Sequence, residues 1–218
     1  MTEPRFPQGR APPRLTSSPR GLTGCGVRGY KVNFMNMQRP RGESRRRTNA
    51  RIRSCRASDL PAVARLAARL VRQHHAWDSD RFFIFDRIEE GYAEYLRGEL
   101  DRKRSVVLVA SKGRRILGYA FGRIEPRDWN ALLERCGMLH DIYVDERARR
   151  KGIARLLVEE MVARLSALGA TRVVLMTAIQ NTGAHRLFEG LGFRTTMLEM
   201  TRECGTAKTH RRGDAENT

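Results

Sequence analysis

Apolar residues first settle into a period at Arg51. Residues 51–56 alternate in the manner of a short edge strand. The spacing then turns helical, with Leu60, Val63, Ala64, Ala67, Leu70 and Val71 on one face. Ser58 stands where an N-cap belongs, Asp59 falls in the first turn and Pro61 is tolerated there. An irregular stretch over residues 74–86 leads to a second helix whose stripe is Ile88, Tyr92, Tyr95, Leu96 and Leu100. Two β-rich runs follow, residues 105–111 and 115–124, joined by the hairpin-like Lys112-Gly113-Arg114. A polar loop over 125–135 precedes a third run at 138–144. Then Ile153, Leu157, Met161, Leu165 and Leu168 mark one face of a long helix closed by Gly169. Residues 172–178 read as a buried strand, 181–191 as a short helix ending at Gly192, and 193–201 as a last strand of alternating character. The order β-α-α-β-β-β-α-β-α-β predicts an α/β (α+β) domain, a mixed and mostly antiparallel sheet with helices on both faces.

Residues 1–50 have no such period. They are rich in Pro, Gly, Ser and Arg and are expected to be a disordered basic tail. The domain is therefore expected over 51–203, with a flexible tail at 204–218. Half of the formal net charge of +18 falls in residues 1–50, which hold 11 Arg and Lys against Glu3 and Glu43. Only five of the 42 basic residues are lysine, a bias that a GC-rich genome explains as well as a function does. The run Arg45-Arg46-Arg47 would attract a polyanion, so nucleic acid enters as a partner only through this tail. A solvated tail, or sequence upstream of a true start at Met35 or Met37, fits the same composition. Cys25, Cys55, Cys136 and Cys204 lie far apart, without metal-ligand spacing or a disulfide framework. No metal is expected, and a reducing cytoplasm suits the chain. No apolar run approaches the ~20 residues of a membrane helix, and the basic N-terminus lacks an apolar signal core.

One stretch carries chemistry. A buried strand runs through Asp141-Ile142-Tyr143-Val144 into a short basic loop that opens directly into a helix, with Arg149-x-x-Gly152-x-Ala154 at the junction. Small residues at 152 and 154 let backbone N–H groups approach a ligand, and a helix N-terminus favours an anion. Arg149, Arg150 and Lys151 add charge, so the junction suits a pyrophosphate, and a solvated basic turn fits the same residues. It is neither a Walker A loop nor a G-x-G-x-x-G dinucleotide turn.

Arg149-x-x-Gly152-x-Ala154 resembles the Q/R-x-x-G-x-G/A signature of the GNAT superfamily of N-acetyltransferases. Upstream, Ile142-Tyr143-Val144 followed by Asp145-Glu146 is similar to that family's fourth strand. Downstream, Asn181-x-x-Ala184-x-x-Leu187-Phe188-x-x-Leu191-Gly192-Phe193 resembles its second conserved block. The resemblance covers roughly residues 51–203 and implies a sheet splayed between strands four and five. It implies acetyl-CoA as co-substrate, its pantetheine arm paired with the backbone of Ile142, Tyr143 and Val144. The pyrophosphate would lie on the backbone of Arg150, Lys151, Gly152, Ile153, Ala154 and Arg155. Asn181, Ala184 and Phe188 would stand near the pantetheine and thioester. Relatives are often dimers, which leaves a homodimer open.

The implied reaction is direct attack of a neutral primary amine on the thioester, which needs a base and an oxyanion donor. A backbone N–H near Ile142 is the expected oxyanion donor. Asp141 is the first choice of base, a carboxylate in a strand that otherwise reads as buried, with a structural hydrogen bond as its alternative. His140 and Glu125 are the second choices. Many relatives carry a tyrosine where this chain has Phe188, which cannot protonate the leaving thiolate. The acceptor, a small-molecule or protein amine, is expected near His74, His75, Trp77, Asp78, Asp80 and Phe82 and the loop of Glu125, Asp128 and Trp129. The acidic Glu125, Asp128, Glu134 and Asp141 point to a cationic acceptor. Two other readings stand beside this one: a catalytically silent CoA-binding sensor, suggested by Phe188, and a nucleic-acid-associated protein working through the basic tail.

Overall fold

The computed structural model describes residues 48–204. The expected disorder of residues 1–47, with Arg45-Arg46-Arg47, and the flexibility expected of residues 205–218 lie outside the described residues. The elements are β1 (Arg51–Ser54), α1 (Leu60–Trp77), α2 (Ile88–Leu100), β2 (Ser105–Lys112), β3 (Arg115–Glu125), β4 (Cys136–Val144), α3 (Ile153–Ala167), β5 (Val173–Leu175) and α4 (Thr182–Glu189). The five strands lie in sequence order in one sheet. All neighbours are antiparallel except β4 and β5, which run parallel.

Alternation along the strands divides the core between two faces. Val107, Val109, Tyr119, Phe121 and Tyr143 meet Leu60, Val63, Leu66 and Ala67 of α1 and Leu96 of α2. Leu108, Ala110, Ala120, Ile124, Leu139 and Val144 point the other way, onto Ile153, Leu157, Met161 and Leu165 of α3 and Phe188 of α4. Leu157, Met161 and Leu165 are fully buried. Each such side chain contributes about 1.5–3 kcal/mol relative to exposure. Gly122 on β3 lets this face close: a Cβ there would lie 2.7 Å from the Met138 carbonyl oxygen and 2.9 Å from the Met161 sulfur.

The expected mixed sheet with helices on both faces is the fold observed, with local departures. Ser58 is not the N-cap of α1. It lies within a 3-10 turn over Ala57–Asp59, and the cap position is Asp59. The Asp59 carboxylate instead accepts the Arg56 N–H at 2.8 Å and the Arg53 guanidinium at 2.6 and 2.9 Å, tying β1 to α1. α1 continues through His74 and His75 to Trp77, where an irregular stretch was expected. His74 is held in the helix by its ring Nδ1 against the Leu70 carbonyl at 2.8 Å and by edge contacts with Trp77 and Phe82. The strand expected at 172–178 is only Val173–Leu175, and no strand forms over 193–201. With β5 so short, the alternating 193–201 segment has no ladder to join. Beyond half-buried Phe193 it is exposed, and Glu199 forms a two-pronged ion pair with Arg81 of the α1–α2 connection.

Candidate active site

β4 touches β5 only through Gly137–Val173, Met138–Val174 and Leu139–Leu175. β5 ends at Leu175, opposite Leu139, and among the described residues no strand pairs with the β5-facing edge of residues 140–144. The chain then enters a 3-10 turn, Glu146–Ala148, fixed by Asp145, whose carboxylate accepts the Arg147 N–H at 3.0 Å. Arg150 (φ 60°) and Gly152 (φ 79°) are both left-handed, and Gly152 caps α3. A non-glycine residue in that region is uncommon and costs conformational energy. The first intrahelical bond of α3 is Leu156 N–H to the Gly152 carbonyl, at 3.2 Å. The N–H groups of Ile153, Ala154 and Arg155 therefore have no intrahelical acceptor, and no side chain caps them. A loop of alternating handedness followed by bare helical N–H groups has the backbone geometry that suits an anion. A Cβ on Gly152 would meet nothing within 4 Å, so the space in front of it is open.

The basic side chains of the loop mostly serve the loop. Arg149 donates to the Val144 carbonyl at 3.1 Å and lies 5.0 Å over the Tyr143 ring. Lys151 reaches the Arg147 carbonyl at 3.1 Å, and Arg155 reaches the Gly190 carbonyl at 3.2 Å. Arg150 has no side-chain partner among the described residues. Asn181 caps α4, its Oδ1 accepting the Ala184 N–H at 3.2 Å. Phe188 is buried with its ring 5.6 Å from that of Phe193. Ile142 and Ala184 pack half-buried beside that cluster.

The other half of the site is made by an irregularity. Leu139 of β4 pairs with Gly122 and Asp141 pairs with Phe121, so His140 is an extra residue. Such a bulge re-aims side chains. Leu139 faces α3, whereas His140 and Asp141 both face α1 and α2. The His140 ring stacks on Phe121 at 5.1 Å, and Asp141 accepts the Tyr119 hydroxyl at 3.2 Å. His140 Nε2 meets Glu125 Oε1 at 2.8 Å, and the same oxygen accepts Arg123 Nε at 2.6 Å. Thus the bulge brings Asp141, His140 and Glu125 together on one face.

Burial pushes the Asp141 carboxyl above its ordinary range, with the Tyr119 hydroxyl, His140 and His74 opposing the rise. Burial also raises Glu125, but Arg123 and His140 outweigh it and hold that carboxyl below its ordinary value. The other acids expected to recruit a cation are spent on the β3–β4 connection. Asp128 accepts the N–H groups of Asn130 and Ala131, and Glu134 pairs with Arg127 at 2.9 Å. Trp129 is exposed with Arg127 over its ring, while Trp77 is half-buried against His74. Sequence reasoning missed Arg123 and Tyr119. Their signal was polar atoms within a strand, β3, that is otherwise apolar and buried.

The chain belongs to the GNAT acetyltransferase family, whose profile matches residues 71–193, more than half of its length. No curated protein matches it in sequence. Among solved structures it is similar to a tetramutant of the BH1408 protein from Bacillus halodurans, at 23% identity and TM-score 0.62, over 70% of this chain and 99% of that one. It is similar to the aminoglycoside N-acetyltransferase AAC(6')-Iy in complex with CoA, at 18% identity and TM-score 0.58, over 75% and 97% of the two chains. The aminoglycoside 6'-N-acetyltransferase AAC(6')-IG from Acinetobacter haemolyticus aligns at 17% identity and TM-score 0.55, over 72% and 99%. At these identities the likeness is one of fold. Among the described residues no group of His, Cys, Asp and Glu could hold a metal ion, and no helix is long and apolar enough to cross a membrane.

Proposed function

We propose that the chain transfers an acetyl group from acetyl-CoA to a primary amine by direct attack. The observation that carries this reading is the free β5-facing edge of β4, which runs from a bulge bearing His140 and Asp141 into a backbone anion cradle. Ile142, Tyr143 and Val144 pair with the amides of the pantetheine arm as an added strand would. The N–H groups of Ile153, Ala154 and Arg155, with Arg150 beside them, hold the pyrophosphate.

His140 is the proton acceptor on this reading. It is more exposed than Asp141, and Glu125 fixes its ring through Nε2. His140 takes the proton of the ammonium, the amine nitrogen bonds to the thioester carbon, and the Ile142 N–H steadies the oxyanion. As the C–S bond breaks, the bonded nitrogen gives up its extra proton, which water carries to the departing thiolate because Phe188 has none to give, and His140 returns its own proton to solvent. Asp141, half-buried beside His140, provides a negative site for a cationic acceptor. The aminoglycoside acetyltransferases of similar fold make neamine a sensible first acceptor to try.

Calorimetric titration with acetyl-CoA tests the cofactor half, with an Arg150→Glu/Gly152→Glu variant alongside. Micromolar binding by the wild type and a loss of roughly 100-fold or more in the variant are expected, equivalent to about 2.7 kcal/mol. Failure of the folded wild type to bind would withdraw the reading. Tight binding without turnover across an amine panel would favour the sensor reading, which Phe188 supports.

A further inference from the structure

Glu99, in α2, is the one buried carboxylate among the described residues to which no role has yet been given, and it is only 2% exposed. It lies seven residues after Tyr92 and four after Tyr95, on the stripe by which α2 meets the sheet. Its carboxylate is enclosed by the Ser105 hydroxyl at the start of β2, by Arg102 at 3.3 Å and by Arg123 at 3.3 Å. Ser105 and Arg102 are its neighbours across one turn and strand entry. Arg123 connects it to something further off. That guanidinium is divided between Glu99 and Glu125, and the Glu125 oxygen it touches is the one that meets His140.

A second path leads from the same face of α2 to the same ring. Tyr95, four residues before Glu99, meets the Phe121 ring edge-on at 5.6 Å, and Phe121 stacks on His140. One turn of α2 therefore reaches both the flat side of the imidazole, through rings, and its Nε2, through alternating charges.

We propose that Glu99 is a positioning residue for acyl transfer: through Arg123 it sets how Glu125 holds and polarises His140. This rests on the reading of His140 as proton acceptor. With Glu99 present, the Arg123 charge is shared between two carboxylates. Without it, that charge bears on Glu125 alone, and Glu125 favours the protonated ring less. The other groups on this face are Asp141 beside His140 on β4, Tyr119 on β3, Tyr92 on α2 and His74 on α1. The last three face Asp141.

The test needs no acceptor. NMR titration of the imidazole protons in the full chain gives the midpoint for His140, assigned from a His140→Ala spectrum. In Glu99→Gln the midpoint is expected to fall by a few tenths to about one pH unit. Glu99→Asp should restore part of it. Ser105→Ala, which loosens Glu99 without touching the Arg123 arm, should leave it where it was. Should Glu99→Gln not fold, Arg123→Lys, which cannot bridge two carboxylates with one planar fork, is expected to move the midpoint too. Kinetics with acetyl-CoA and neamine then read the consequence, a fall of about tenfold in kcat for Glu99→Gln with acetyl-CoA affinity kept. A midpoint unmoved in Glu99→Gln, or moved equally by Ser105→Ala, would mean that Glu99 only fastens α2 and would overturn the proposal. A shifted midpoint beside a fully active His140→Ala would instead remove the base reading, and the catalytic role of Glu99 with it.

Discussion

The two faces of the sheet are built on different principles. On the α3–α4 side the core is apolar, and the feature that suits a ligand is backbone: two left-handed residues, three bare N–H groups and an unaccompanied strand edge. On the α1–α2 side a chain of charges runs from buried Glu99 through Arg123 and Glu125 to exposed His140, with Asp141 and Tyr119 beside it. A backbone site tolerates many side chains as long as the turn survives. A side-chain site depends on each partner in turn. Substitutions should therefore have opposite profiles on the two faces.

The largest expected effect is on the side-chain face. His140→Ala should lower kcat by roughly 10²–10⁴-fold, with acetyl-CoA affinity unchanged, as read by steady-state kinetics beside calorimetry. A matching loss of affinity would mean that the two faces are not separable. Next in size, and in contrast, Arg150→Ala should weaken acetyl-CoA binding only a few-fold, on the order of 1 kcal/mol, because N–H groups rather than the exposed guanidinium form the cradle. A loss as large as that of the Gly152→Glu combination would show that side-chain charge dominates there too.

The smallest effect is in the pH dependence of stability. Glu125 has a folded-state carboxyl held below its ordinary value of 4.5, by Arg123 and His140 against the pull of burial. Its contribution is thus complete above that ordinary value and is lost as pH falls through the lower, folded one. Glu125→Gln should flatten the decline of Tm on acidification below about pH 4.5. Glu159→Gln, which removes an exposed partner of Arg155 on α3, should leave the decline as it is.

The same contrast explains what the sequence made legible. The loop of Arg149, Gly152 and Ala154 is local, within six residues, so its spacing and its resemblance to a family signature could both be read from the sequence. The helices of both faces were legible for the same reason, since a period needs only neighbours. The charge chain draws on α2, β3 and β4, residues 99 to 140, and no spacing rule joins them. Glu99 did leave a trace as a carboxylate on the Ile88–Tyr92–Tyr95–Leu96 stripe, and Arg123 another as a charge between Gly122 and Ile124. The bulge left only a faint one, the consecutive polar residues His140 and Asp141 in a run that otherwise reads as buried. The missing strand at 193–201 failed for the opposite reason: its alternation is real, but β5 stops at Leu175 and offers no partner.

The extra residue in β4 bears on how such a site can arise. Because Leu139 pairs with Gly122 and Asp141 with Phe121 on either side of it, excising His140 would leave every other side chain of the sheet on its present face. The shortened strand would be an ordinary ladder, more regular and without its imidazole. Seen in that order, the proposed chemistry is a one-residue insertion into a hairpin that was already complete.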